Sequence, residues 1–402
     1  MKNSQTLLID VGSTYFKLAQ GERIQHHFRD FGRSIRQDLE AKCSTILAQY
    51  PPEAIRICSS ANGGLSTLIV GMSRSFSIKY AVNTAFNSGI NIIDTLLLEE
   101  LERSRIPSER VDVLILSGGV DDAEPIFDEQ SIRALRRIPC HNIVHVGSQA
   151  DRPLLARLLP ETVFLPNILD EKLRMNESEL KRYLTDLYQA DIVGKEEIKS
   201  LYALTDNQIY STPYIVNRAL PFIGEKLDVA DPFIVIDIGG ATTDIHYSSD
   251  LIDDNLAGEG GYDRLVFKKL GVYKSRESLV HTARQNEFVF ELLSSLNVTE
   301  DILEQHSEAA TKVLMQLAIF LVLYKVSGHH GDYVDLRLER LNAIVFTGGI
   351  TKVLSDEEMQ SIVHFFYRKL LHYHQIPRIV PDRNYEIWTY GIRALSSEKE
   401  ES

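Results

Sequence analysis

FIVIDIGGATTD, residues 233–244, begins as an unbroken apolar run and ends in glycine, threonine and aspartate. β-Branched residues without polar interruption read as a strand buried on both faces. The run places Asp237 at the mouth of that strand. Gly239 and Gly240 then free the backbone for positive φ or for close approach to a ligand. Thr242 and Thr243 add hydroxyls. Amides and hydroxyls converging in one turn make a cradle for phosphate oxygens.

The same device stands upstream in LLIDVGSTYFK, residues 7–17. Asp10 ends the strand, Gly12 frees the turn, Ser13 and Thr14 supply donors, and Lys17 adds positive charge. One such turn alone reads equally well as an ordinary hairpin. Two of them, about half a chain apart, argue for loops that face each other and hold the β- and γ-phosphates of a nucleotide from both sides. Two carboxylates on the floor of such a cleft, Asp10 and Asp237, suit Mg²⁺, which keeps several waters and takes few protein oxygens. One of them could instead orient an attacking water.

A third copy, AIVFTGGITKVL (343–354), puts Gly348 and Gly349 between a strand and a helix. A side chain at either position would block a flat ring or a ribose, so the turn reads as adenosine-binding. The plain alternative is a strand-to-helix turn that needs glycine for its geometry alone. A fourth segment, VDVLILSGGVDD (111–122), looks similar. The repetition implies duplicated α/β halves. The chain of 402 residues has room for two or more domains. The expected division is a first lobe over 1–230, a second over 231–380, and a crossing helix and tail over 381–402.

These motifs, in this order, resemble the actin-like ATPase superfamily of sugar kinases, heat-shock chaperone ATPases and actin. LAGEGGYDRLVFKKL (256–270) is similar to the glycine-rich turn and helix that the chaperone ATPases carry, which adds Gly260 and Gly261 to the adenosine side. In GIRALS (391–396), Gly391 and Ala394 suit a closely packed helix between the lobes. The resemblance implies an α/β fold of two ribonuclease-H-like lobes with ATP and Mg²⁺ in the cleft between them.

The wording between the motifs narrows the resemblance. DVGSTYxK, LxSGGVDD, NILDEKLRMN, STPYIV and DIGGATTDIH together are similar to the glutamate mutase accessory proteins, of MutL or GlmL type and unrelated to the mismatch-repair MutL. That family implies ATP-dependent service to an adenosylcobalamin-dependent mutase, as a reactivating chaperone that helps eject a damaged cofactor. Two alternatives share the fold: a small-molecule kinase, and an actin-like filament or scaffold protein.

Other features read as structural. The net charge of −13 and the absence of a Lys/Arg block argue against nucleic acid and anionic membranes as partners. Cys43, Cys58 and Cys140 fit no metal or redox spacing and read as buried reduced thiols. The N-terminus does not read as a signal peptide. Val313–Val326 contains Gln316 and Lys325 and reads as a buried helix, so the expected location is cytoplasmic. Asp244-x-His246 opens like a cobalamin motif, but Ser249 replaces the required glycine. His329 and His330 beside Asp332 read as a solvated loop. The oligomeric state is not legible.

Overall fold

The computed structural model describes residues 6–60, 65–88, 90–101, 110–121, 124–170, 172, 174–194, 196–251, 262–327 and 336–401. In chain order, β1 (Leu7–Val11), β2 (Tyr15–Gln20) and β3 (Arg23–Phe28) form an antiparallel meander. The helix Ile35–Leu47 follows, capped by Ser34 in a capping box with Gln37. It leads to β4 (Ile55–Ser59), which lies parallel to β1. After a long excursion, β10 (Tyr210–Ser211) joins the far side of β4, and the helix Thr212–Leu227 closes the unit.

The second unit repeats this plan. β11 (Phe233–Ile238), β12 (Thr243–Ser248) and β13 (Tyr262–Phe267) form the meander. β14 (Ala343–Gly348) and β15 (Arg378–Pro381) add in parallel on the other side, and the helix Ile387–Glu401 closes it. The two sheets have the orders β10-β4-β1-β2-β3 and β13-β12-β11-β14-β15. Read from the outer strand of each meander, both are 3-2-1-4-5. This is the ribonuclease-H-like order, present twice, and the α/β fold expected from the motifs is the one observed.

The excursion between β4 and β10 was not legible as a separate sheet. It holds β5 (Ser66–Gly71), β6 (Asn91–Leu97), β7 (Val111–Ser117), β8 (Cys140–His145) and β9 (Thr162–Phe164). All their pairings are parallel, in the order β6-β5-β7-β8-β9. The VDVLILSGG segment is β7, in the middle of this third sheet. Its strand-plus-glycine pattern therefore belongs to a different layer from the three copies it resembles. Gly118 and Gly119 take positive φ there, and a Cβ on Gly118 would meet Ile126 Cδ1 at 2.6 Å. Packing alone explains the glycine.

Central strands β1, β7, β11 and β14 are almost wholly buried, as expected where both sheet faces are covered. The helix Glu308–Val326 is apolar nearly all round because it is a core element. By length and composition it could cross a membrane, but 72% of its apolar window is buried in the fold. The two closing helices pack on each other beneath the cleft. They pack closely at Gly391, where a Cβ would come 1.9 Å from the Ile215 carbonyl oxygen. Trp388, Tyr385, Val235, Val345, Leu8 and Cys58 share this inter-lobe core.

Candidate nucleotide site

The two β-hairpins that face the cleft are built alike. In the first, Asp10 pairs across the hairpin with Lys17; in the second, Asp237 pairs with Asp244. Each pair is seven residues apart in sequence. In each turn the glycine amide closes the loop, Gly12 N donating to Tyr15 O and Gly239 N to Thr242 O, both at 2.9 Å. The turns touch. A Cβ on Gly240 would lie 2.4 Å from Thr14 Oγ1 and 3.3 Å from Ser13 Oγ, so only glycine lets the loops approach this closely.

A cavity of about 650 Å³ opens between them. Asp10, Gly12, Ser13, Thr14, Lys17, Asp237, Gly239, Gly240, Thr242, Gly348 and Gly349 all line it. Residues from three sequence motifs hundreds of positions apart are thus gathered around one space. Thr243 is not among them. It is fully buried, and its hydroxyl donates to the Leu270 carbonyl at 2.8 Å. Strand alternation is the reason, since Thr243 holds the place of buried Phe16 in the first hairpin and points to the opposite face. Gly260 and Gly261 lie outside the described residues, as do His329, His330 and Asp332.

The two carboxylates have different surroundings. Asp10 is buried. Its Oδ1 accepts from Thr212 Oγ1 at 2.6 Å and from Cys58 Sγ at 3.5 Å, and its Oδ2 pairs with Lys17 Nζ at 2.9 Å. Burial works against the Lys17 charge, but Asp10 and then Asp237 outweigh it and hold the ammonium above its usual range. Lys17 also lies 4.9 Å from the ring centroid of Tyr385, a cation–π distance. Asp237 is half-buried and accepts no hydrogen bond among the described residues. Burial raises its carboxyl; Lys17 opposes the shift, while Asp10 and Asp382 add to it.

Asp244 also lines the cavity, where sequence reasoning had placed only a strand residue. Burial pushes it up to about 7; Arg264 opposes this and Asp237 adds to it. Its Oδ2 accepts from Thr242 Oγ1 at 3.0 Å, and its Oδ1 is buried without a hydrogen-bond partner among the described residues. The matched spacing of 10→17 and 237→244 was the signal that could have found it. Thr212, Tyr273, Arg276, His306, Thr311, Met315, Val353 and Tyr385 are among the other wall residues. They come from distant elements and carry no local pattern.

Gly348 and Gly349 differ. Gly348 has φ +83°, and a Cβ there would lie 2.3 Å from Asp237 Oδ1 and 2.7 Å from Ile238 O. Gly349 has ordinary helical φ and nothing within 4 Å of a would-be Cβ. The first glycine is needed by the fold; the second keeps the cavity open. His246 is fully buried against Asn217, with 3.3 Å between Nδ1 and Oδ1.

Two ribonuclease-H-like lobes facing one another across a glycine-lined cleft define the actin-like ATPase fold. Within that class, the family profile described as "MutL protein" matches residues 6–316. The chain belongs to that family, the glutamate mutase accessory family that its motifs resemble. Protein MutL of Clostridium tetanomorphum is 24% identical over 270 residues, which span 61% of this chain and 58% of that relative. Two solved structures align over nearly the whole chain but loosely. The nucleotide-free structure of acetone carboxylase is 13% identical, covering 98% of this chain and 70% of that one, with a TM-score of 0.39. The activator of the 2-hydroxyisocaproyl-CoA dehydratase from Clostridium difficile, with bound ADPNP, is 11% identical, covering 98% and 97%, with a TM-score of 0.33. Likenesses this distant say nothing about the site.

Proposed function

We propose that this chain binds ATP with Mg²⁺ in the interlobe cleft, hydrolyses it, and uses the resulting change in lobe closure to service an adenosylcobalamin-dependent mutase. The observation that carries this reading is the pair of matched hairpins. Their turns meet at Gly240 and Thr14, with Asp10 and Asp237 on the walls of one cavity. A γ-phosphate held between two such turns touches both lobes, so ATP favours the closed state by differential contact.

The donor set fits a magnesium ion carried on the nucleotide. Asp237 has a carboxylate with no competing hydrogen bond among the described residues and would touch the ion or its waters. Asp10 already balances Lys17, Thr212 and Cys58, and would act through water or by fixing the Lys17 charge. The ion, when bound, neutralises charge on the phosphates. Asp244, near neutrality in its proton affinity, is suited to accept a proton from an attacking water. Gly349 shares the cavity with Arg276, His306, Thr311, Met315 and Val353, a mixed set of the kind that takes a nucleoside.

Calorimetric titration with ATP and ADP, with and without Mg²⁺, tests the first half. No binding of either nucleotide would sink the reading. The client half is tested by adding the protein, ATP, Mg²⁺ and free adenosylcobalamin to an inactivated holo-mutase. Recovery of activity is expected, and its absence removes the mutase from the proposal. ATP turnover without any added acceptor separates this reading from a small-molecule kinase.

A further inference from the structure

Four aromatic side chains lie exposed in a row at the cleft mouth: Tyr15 at 39%, Phe28 at 49%, Phe31 at 45% and Tyr273 at 55%. Tyr15 meets Phe28 edge-on at 5.3 Å between centroids, and Phe28 meets Phe31 edge-on at 5.9 Å. Phe31 then stacks on Tyr273 at 5.8 Å with 20° between the rings. The first three rings belong to the first lobe and Tyr273 to the second, so the last contact crosses the cleft. Singly scattered exposed rings need no explanation, but a contiguous row does.

Each half of the crossing contact is tied to one phosphate loop. Beneath Phe31 lies the buried Arg29, its Cζ 5.6 Å from that ring's centroid, and its Nη1 donates to the Gly12 carbonyl at 3.4 Å. The Tyr273 amide donates to the Gly240 carbonyl at 2.9 Å. A ligand that draws the two loops together therefore draws the two rings together. We propose that Phe31 and Tyr273 form a clasp that holds the cleft shut and limits the rate at which nucleotide escapes. The clasp rests on the nucleotide-binding reading above.

The test is the release rate of a fluorescent ADP, chased with unlabelled ADP, from wild type, Phe31→Ala, Tyr273→Ala and the double variant. An aromatic pair of ordinary strength predicts that each single change speeds release by roughly threefold to tenfold. The double variant should be no faster than the faster single, because both changes remove the same contact. Tyr273→Phe, which keeps the ring, should release the nucleotide more slowly than Tyr273→Ala. Single variants at the wild-type rate, or a double variant equal to the product of the singles, would overturn the clasp. Small-angle scattering of the nucleotide-free proteins is independent of nucleotide binding. The double variant should show a larger radius of gyration than wild type, and an unchanged radius also overturns the clasp. Failure of fluorescent ADP to bind at all would instead count against the nucleotide-binding reading, leaving scattering to decide the clasp.

Discussion

Asp244 occupies in the second hairpin the position that Lys17 occupies in the first. Lys17 pairs in register with Asp10, and Asp244 with Asp237. One lobe thus brings a compensated ion pair to the cleft and the other brings two carboxylates side by side. Arg264 partly offsets the second pair, but neither of its carboxylates faces a lysine across the hairpin as Asp10 does.

This asymmetry predicts a stability effect at Asp244. Its folded pKa, about 7, lies above the ordinary carboxyl value of 3.8. The native state therefore holds a proton that the unfolded state has lost, and stability falls as pH rises from about 4 to about 7. Asp244→Asn should raise the melting temperature at pH 8 by clearly more than at pH 5. An equal change at both values would show that Asp244 titrates normally.

Asp10→Asn and Asp237→Asn should each lower ATP turnover by at least about tenfold, or ~1.4 kcal/mol in barrier. Asp10→Asn should in addition loosen Lys17, which loses its partner at 2.9 Å. Full turnover in both variants would remove these carboxylates from the chemistry.

The two glycines of the third motif should separate. Gly348→Ala forces a side chain into positive φ and against Asp237, costing about 1–3 kcal/mol from the backbone alone. A Cβ at Gly349 has no neighbour within 4 Å, so Gly349→Val should leave the melting temperature nearly unchanged while weakening ATP and ADP together. A loss confined to ATP would place Gly349 beside the γ-phosphate instead of the nucleoside.

The two threonines should separate in the same way. Thr243→Val strands the Leu270 carbonyl and should cost about 1–3 kcal/mol of stability with no change in the preference for ATP over ADP. Thr242→Val removes a hydroxyl on the cavity wall and should narrow that preference. The opposite pattern, measured by titration with both nucleotides, would reverse the assignment.

Gly391→Ala should push the closing helices apart, since its Cβ would sit 1.9 Å from the Ile215 carbonyl oxygen. Overpacking of this kind typically costs about 1–3 kcal/mol. The Thr212–Asp10 bond starts from the same helix as Ile215. ATP affinity should therefore fall along with stability, and unaltered affinity would show the helix pair to be uncoupled from the site.

The sequence by itself determined the strands that end at Asp10, Asp237 and Thr347 and the glycine turns after them, because their physics is local. A buried strand needs an apolar run, and a tight turn against another backbone needs glycine; both are written in consecutive residues. It also determined the duplicated plan, since the strand-plus-glycine device recurs along the chain. Tertiary structure decided the rest. Thr243 faces away from the cavity because strand pleating and the packing of β12 choose its side. Asp10 is saturated because Cys58 and Thr212 reach it from elements 48 and 202 residues away. The third sheet repeats the strand-plus-glycine pattern of the cleft hairpins in another layer, where Gly118 answers to Ile126 and Met72. The walls around Gly349 and the ring pair Phe31–Tyr273 depend on contacts between segments far apart in the chain. Which side chains meet there is set by how the lobes pack, and no local sequence pattern records it.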